Sequence, residues 1–170
     1  MAECLVVVYR EGRHDQGTQT MKSRTMYMLI GIPYSGKTYY RDVHFMSSNY
    51  LWLSTDYIIE DIIARYPASS YQENWKDLID FAQKMLYKDI DYGIKMEYDF
   101  VWDQTNLTKI SRKEKLEKIP DTYQKIAVFF STPSNETIEE RKLLRPNQDI
   151  PWGVLDRMRS QLEIPEFSEG

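Results

Sequence analysis

Four short apolar runs set the rhythm of the chain: MYMLI over 26–30, YLWLS over 50–54, DFVWDQ over 99–104 and KIAVFFS over 125–131. Each is apolar through its centre rather than alternating, the pattern of a strand buried on both faces of its sheet. Between them lie segments with helical spacing. TYYRDVHFM follows the first run and TDYIIEDIIARY the second. In ENWKDLIDFAQKMLYKDIDYGIKMEY, Trp75, Ile79, Ala82, Leu86 and Ile90 recur every three to four positions and predict a long amphipathic helix. KISRKEKLEKI predicts a charged surface helix. Thr132 is placed to cap the helix after the fourth run, with Pro133 at its first position, and Pro151 opens a last helix over WGVLDRMRSQLEI. Strands that alternate with helices predict the α/β class: three layers, with a central parallel sheet of four to five strands and helices on both faces. Ligands of such sheets bind at the carboxyl ends of the strands.

The first 25 residues break this rhythm. CLVVVY reads as a short strand, but REGRHDQGTQTMKSRT after it is polar and holds two glycines. The segment is expected to be a loose extension or an added edge strand, with Met21 and Met26 both open as natural starts. Residues 1–25 are therefore set apart from a main domain over 26–170. At 170 residues the chain fits one domain.

Composition narrows the chemistry. Cys4 is the only cysteine, which excludes an internal disulfide and a thiolate metal cluster, and His14 with His44 are too few for a zinc site built on imidazoles. No apolar run approaches the roughly 18 residues of a membrane span, and MAECLVVVYREG does not read as a secretion signal. A soluble protein of a reducing compartment, cytoplasmic and without a membrane partner, is expected. The net charge of -4 argues against a non-specific nucleic-acid coat, yet the acidic excess is local. Residues 49–103 carry 5 basic and 11 acidic groups, against 6 and 4 before them and 11 and 11 after them. A polyanionic substrate stays compatible with the flanking thirds.

The strongest chemical signal is Gly31-Ile-Pro-Tyr-Ser-Gly-Lys-Thr38, a full match to G-x-x-x-x-G-K-[ST] lying between a strand and a helix. Such a loop turns its backbone N–H groups around an anion, and the helix that follows adds its positive end. Gly31, Pro33, Tyr34, Ser35 and Gly36 form the cradle. Lys37 reaches the outer phosphates, and the Thr38 hydroxyl can hold magnesium. A nucleoside triphosphate is the expected ligand.

Two carboxylates lie at strand ends on the same side of the sheet. Asp56 follows YLWLST, where it can accept a proton from an attacking hydroxyl or simply cap the next helix. Asp103 closes DFVWD, where it can serve magnesium or take a turn or cap role. Arg141 and Arg145 are four apart and share a helix face ahead of the polar stretch PNQDIP. Two guanidiniums on such a segment suit a lid that neutralises a transferring phosphoryl group, although the same residues also suit a solvated helix. Lys109, Arg112, Lys113, Lys115 and Lys118, interleaved with Glu114 and Glu117, read as a solvated face.

Taken in order, these motifs resemble the 5′-kinase domain of bacteriophage-type polynucleotide kinases and their small P-loop kinase relatives, over about Thr25 to Leu162. GIPYSGKT resembles the family's G-x-P-G-S-G-K-[ST], with Tyr34 in place of a glycine. STDYI resembles its acid motif, DQTNLTKISR its D-x-T-N-L segment, and ERKLLRPNQDIPWGVLDRM its lid. The resemblance implies a P-loop kinase domain with an arginine-bearing lid that uses ATP and Mg2+. Asp56 would be the general base, and Arg145, with Arg141 beside it, would clamp ATP. The implied acceptor is the 5′-hydroxyl of a DNA or RNA oligonucleotide, in nucleic-acid end processing, in the host cytoplasm if the chain is phage-encoded. One family feature is missing: the turn after Asp56 reads Tyr57, Ile58, Ile59, Glu60, with no basic residue before Arg65 to grip a phosphate beside the acceptor hydroxyl. A small-molecule or nucleotide kinase of the same fold, and a nucleotide-binding module without transfer, are the alternatives.

Overall fold

The computed structural model describes residues 4–9, 24–66, 75–145 and 149–169. Five strands form one sheet in the order β1-β5-β2-β4-β3. Four of them are the predicted runs: β2 (Thr25–Ile30), β3 (Tyr50–Leu53), β4 (Asp99–Asp103) and β5 (Gln124–Phe130). They are parallel, with Met26 of β2 level with Phe100 on one side and Lys125 on the other. β1 (Cys4–Tyr9) is antiparallel to β5, with Cys4 opposite Phe130 and Tyr9 opposite Lys125. Of the two readings of the N-terminal segment, the edge strand holds for residues 4–9; residues 10–23 lie outside the described residues.

Because successive side chains alternate between faces, each continuous apolar run feeds two cores. Met26, Met28, Ile30, Phe100, Trp102, Ala127 and Phe129 pack on one face, and Leu29, Val101, Val128 and Phe130 on the other. The first face is covered by α3 (Trp75–Lys95) and α4 (Lys109–Leu116), through Leu86, Ile90 and Leu116. On the second face lies α1 (Lys37–His44), with Tyr40 and Phe45 against the sheet. At Gly93, α3 runs so close to the sheet that a Cβ would stand 2.4 Å from the Phe100 ring, a separation only glycine permits. α2 (Thr55–Arg65) packs on α3 through Ile59, Leu78 and Ala82. At the carboxyl end of the sheet, α5 (Asn135–Leu143) and α6 (Trp152–Gln161) bury Ile138 and Leu155 against Ile32, Tyr34 and Leu107. Among the described residues, no helix is long and apolar enough to cross a membrane.

Three local expectations are corrected. The inward stripe of α3 runs through Leu78, Ala82, Leu86 and Ile90, while Ile79 is 40% exposed. Leu78 takes the inward place because α2 supplies Ile59 as its partner, a neighbour that the helix's own periodicity does not reveal. The cap of α5 is Ser134, whose Oγ accepts from the Thr137 N–H, and not Thr132. The chain stays extended through Ser134, so Pro133 precedes the cap instead of following it. Arg112, expected on a solvated face, is completely buried. Its guanidinium forks onto Glu169 at 2.6 and 2.7 Å and donates to the carbonyls of Asn106, Leu107 and Glu163. Lys113, Glu114 and Glu117 are exposed as expected.

Candidate active site

β2 ends at Ile30, and the next residues bend back over the strand end. The turn needs left-handed backbone at two places: Gly36, with φ 103°, and Tyr34, with φ 64°. Glycine takes this conformation freely, whereas a tyrosine there costs about 1–2 kcal/mol. The Tyr34 side chain offsets that cost by burial among Ile32, Leu107, Ile138 and Leu155. It also joins the loop to the lid. Its hydroxyl accepts from the Ile150 N–H at 3.3 Å, and its carbonyl accepts from Arg141 Nη1.

Lys37 opens α1 and points back into the loop, where Nζ donates to the carbonyls of Gly31 and Ile32 at 2.8 and 2.9 Å. Burial lowers its pKa from the usual lysine value to about 8, while the nearby charges of Asp103 and Asp56 oppose that shift and Arg145 adds to it. These four groups therefore share one electrostatic neighbourhood. Ser35 Oγ is buried with no hydrogen-bond partner among the described residues. A buried hydroxyl without a partner costs free energy until a ligand satisfies it. Pro33 and Thr38, on either side of the loop's crest, are half-buried.

The neighbouring loop, after β4, is tied by its own side-chain and backbone bonds. Asn106, also left-handed at φ 50°, donates through its side-chain amide to Leu29 O at 2.7 Å and to Trp102 O and Gln104 O at longer range. Thr105 O accepts from the Gly31 N–H at 3.0 Å, which fixes where the phosphate loop begins. In this way the D-x-T-N segment joins the ends of β2 and β4.

Asp103 and Asp56 occupy contrasting environments. Asp103 is buried on the α1 side, paired with Arg41 Nη1 at 2.9 Å. Burial raises its pKa above the usual carboxylate value against the pull of Lys37 and Arg41, and Asp56 adds to the rise. The Arg41 guanidinium also lies 4.3 Å over the Trp52 ring. Asp56 is exposed in the first turn of α2 and is not the cap, because Ser54 Oγ accepts from the Tyr57 N–H. Asp56 opens onto a cleft of about 380 Å³ whose wall includes Thr55, Gln104, Tyr87, Lys115 and Lys118.

On the lid side, Arg141 is committed to the Tyr34 carbonyl, and Arg145 follows α5, exposed and within electrostatic reach of Lys37. Part of the predicted lid, residues 146–148, lies outside the described residues. Beyond it, Lys142 pairs with Asp149 at 2.9 Å, and Trp152 Nε1 donates to Glu139 at 2.8 Å. Sequence reasoning missed Arg41, and it set Lys115, half-buried here, on a solvated face. Arg41 stands four residues after Lys37, one helical turn on, so its proximity to the loop was legible from spacing even though its partner was not.

A family model described as AAA domain (AAA_33) matches residues 26–165. Among solved structures, a chain of the Pnkp1/Rnl/Hen1 RNA repair complex superposes with TM-score 0.63 at 17% identity, covering 84% of this chain and 45% of that one. A protein from Chloroflexus aurantiacus J-10-fl, provisionally described as a kinase, superposes with TM-score 0.63 at 16% identity, covering 86% and 80%. This chain thus spans less than half the length of the repair-complex chain, and at these identities the likeness is one of fold. A parallel four-stranded sheet with an antiparallel edge, a phosphate loop between β2 and α1, and a match over most of the chain lead to one assignment: the protein belongs to the AAA domain family and has the fold of P-loop kinases.

Proposed function

We propose that the protein is an ATP-dependent phosphotransferase that moves the γ-phosphoryl group to a hydroxyl, most specifically the 5′-hydroxyl of a DNA or RNA oligonucleotide. The observation that carries this reading is Asp56: a carboxylate relieved of capping by Ser54, open to a cleft and within electrostatic reach of Lys37. A module that only bound nucleotide would need no such group. The likeness to a chain of an RNA repair complex supports the nucleic-acid acceptor.

In this reading the backbone N–H groups of residues 31–38 and the unpartnered Ser35 hydroxyl receive the phosphates. Lys37 exchanges its two loop carbonyls for phosphate oxygens. Asp56 takes the proton of the acceptor hydroxyl as that oxygen attacks phosphorus, and ADP leaves. Arg145 offsets the charge that spreads over the phosphoryl oxygens, while Arg141 holds the loop through Tyr34. The donor chemistry at Thr38 and Asp103 fits magnesium, a hard cation that takes oxygen ligands and leaves other positions to phosphate and water. When bound, that ion would neutralise charge between the outer phosphates.

The test is transfer of labelled γ-phosphate from ATP to a panel of 5′-hydroxyl DNA and RNA oligonucleotides, nucleoside 3′-monophosphates and nucleoside 5′-monophosphates. Asp56→Asn should lower transfer by about 10²–10⁴-fold while ATP affinity stays near wild type. Full transfer by Asp56→Asn would remove Asp56 as the base. Labelling confined to mononucleotides would move the assignment to a nucleotide kinase, and ATP binding with no labelling at all would leave a binding module.

A further inference from the structure

The first turns of α2 offer no cation beside Asp56: Ile59 is buried against α3, Ile58 packs beside it, and Arg65 at the far end of the helix pairs with Asp61. The positive charge lining this cleft comes instead from the end of α4 and the turn after it, where Lys115 and Lys118 stand. We propose that Lys115 and Lys118 form an anion grip in the same cleft as Asp56, so that the acceptor hydroxyl belongs to a phosphate ester. This inference rests on the reading of Asp56 as the base.

The two ammonium groups are positioned by neutral partners. Lys115 Nζ donates to Asn106 Oδ1, in the tied loop after β4, and lies 5.6 Å over the Trp102 ring. Lys118 Nζ lies 4.4 Å over the Tyr87 ring. Among the described residues neither makes a salt bridge, whereas Lys109, Lys125 and Lys142 are each paired with a carboxylate. An amide oxygen or an aromatic face fixes an ammonium without cancelling its charge, so both groups keep that charge for a ligand. Lys115 is largely desolvated, and burial lowers its pKa to about 8, so an anion arriving there stabilises a charge that the fold leaves under-solvated. The remaining carboxylate of the lining is Glu114, exposed on α4. With Asp56 and the two lysines lining one cleft, it suits a ligand that carries both a hydroxyl and a phosphate. At about 380 Å³ it falls within the size of small-ligand sites. The phosphate could belong to a free nucleotide or to the first phosphodiester of an oligonucleotide, and the two share this chemistry.

Calorimetric titration of the full chain with a nucleoside 3′-monophosphate, and separately with a 5′-hydroxyl oligonucleotide, tests the grip without relying on turnover. Lys118→Ala should weaken binding about tenfold, and the Lys115→Ala/Lys118→Ala double variant more than that, with ATP affinity retained. Acceptor KM should rise in parallel. Lys118 is exposed, so its variant keeps the test sound should loss of Lys115 disturb the fold. Equal binding of both probes marks a free nucleotide as sufficient. Tighter oligonucleotide binding, lost in the same variants, marks a phosphodiester. Affinities unchanged in Lys118→Ala and in a folded double variant overturn the proposal, as does equal weakening toward the parent nucleoside that lacks the phosphate. Loss of labelling in wild type with nucleotide binding intact and lysine-dependent would count against Asp56 as base and leave the grip standing.

Discussion

The phosphate loop and the loop after β4 lie side by side at the same end of the sheet, yet opposite means hold them. The loop after β4 is held by bonds within the chain: its Asn106 side chain serves three carbonyls, and the Arg112 guanidinium, reaching in from α4, serves three carbonyls and a carboxylate. The phosphate loop holds a buried hydroxyl with no partner, a lysine turned on its own carbonyls, and a tyrosine in backbone that glycine would prefer. One loop is a frame whose bonds are made within the chain. The other keeps its bonding capacity for something that arrives later. Stability and binding should therefore separate cleanly between them.

The largest break is expected at Arg112. Arg112→Met leaves Glu169 and three carbonyls without their buried donor, and removing one partner of such a pair costs about 3–5 kcal/mol. Urea unfolding should show this loss. Lys37→Met should behave in the opposite way, losing about 100-fold or more in ATP affinity while unfolding at the same or higher urea. The sign follows from the lowered pKa. The folded protein holds this proton less tightly than the unfolded chain does, so the cost of burying the charge is complete below pH 8 and fades as pH rises from about 8 toward the unfolded value. The stability gain of Lys37→Met should thus be greatest below pH 8. A bound triphosphate favours the charged amine, so ATP affinity of the wild type should fall as pH rises through about 8, and that slope should vanish in Lys37→Met. The smallest effect is expected at Tyr34→Phe, which removes the acceptor of the Ile150 N–H and keeps the ring; a loss of about 0.5–1.5 kcal/mol is expected, together with faster amide exchange at Ile150.

What the sequence disclosed follows the range of the interactions concerned. The four parallel strands and the phosphate loop were legible because each depends on neighbours within a few residues, and Gly36 is required by its own φ. The positions of Lys37, Asp56, Asp103 and Arg145 at one end of the sheet followed from the βα order alone. Arg112 was misread because its partners Glu163 and Glu169 lie more than 50 residues away, and nothing in KISRKEKLEKI distinguishes it from the lysines around it. Ile79 and Leu78 are equally apolar, and only the docking of α2 decides which one turns inward. The commitment of Asp103 to Arg41 needed the parallel register that brings β4 beside β2 and α1.

The antiparallel pairing of β1 with β5 also changes what the molecule presents to other chains. A sheet of four parallel strands ends in two rows of unpaired backbone N–H and C=O groups, and β5, with seven residues against four in β3, is the longer of its two outer strands. Such a row is a template for strand addition by another copy, the first step toward aggregation. β1 occupies that row along its whole paired length, from Cys4 to Tyr9. Among the described strands the margins of the sheet are then β1, six residues long, and β3, four residues long, so the open row on that side is moved outward from β5 to a shorter strand. The N-terminal strand thus acts as a selvedge: it covers the backbone row of β5 and ends that side of the sheet in a strand of opposite direction.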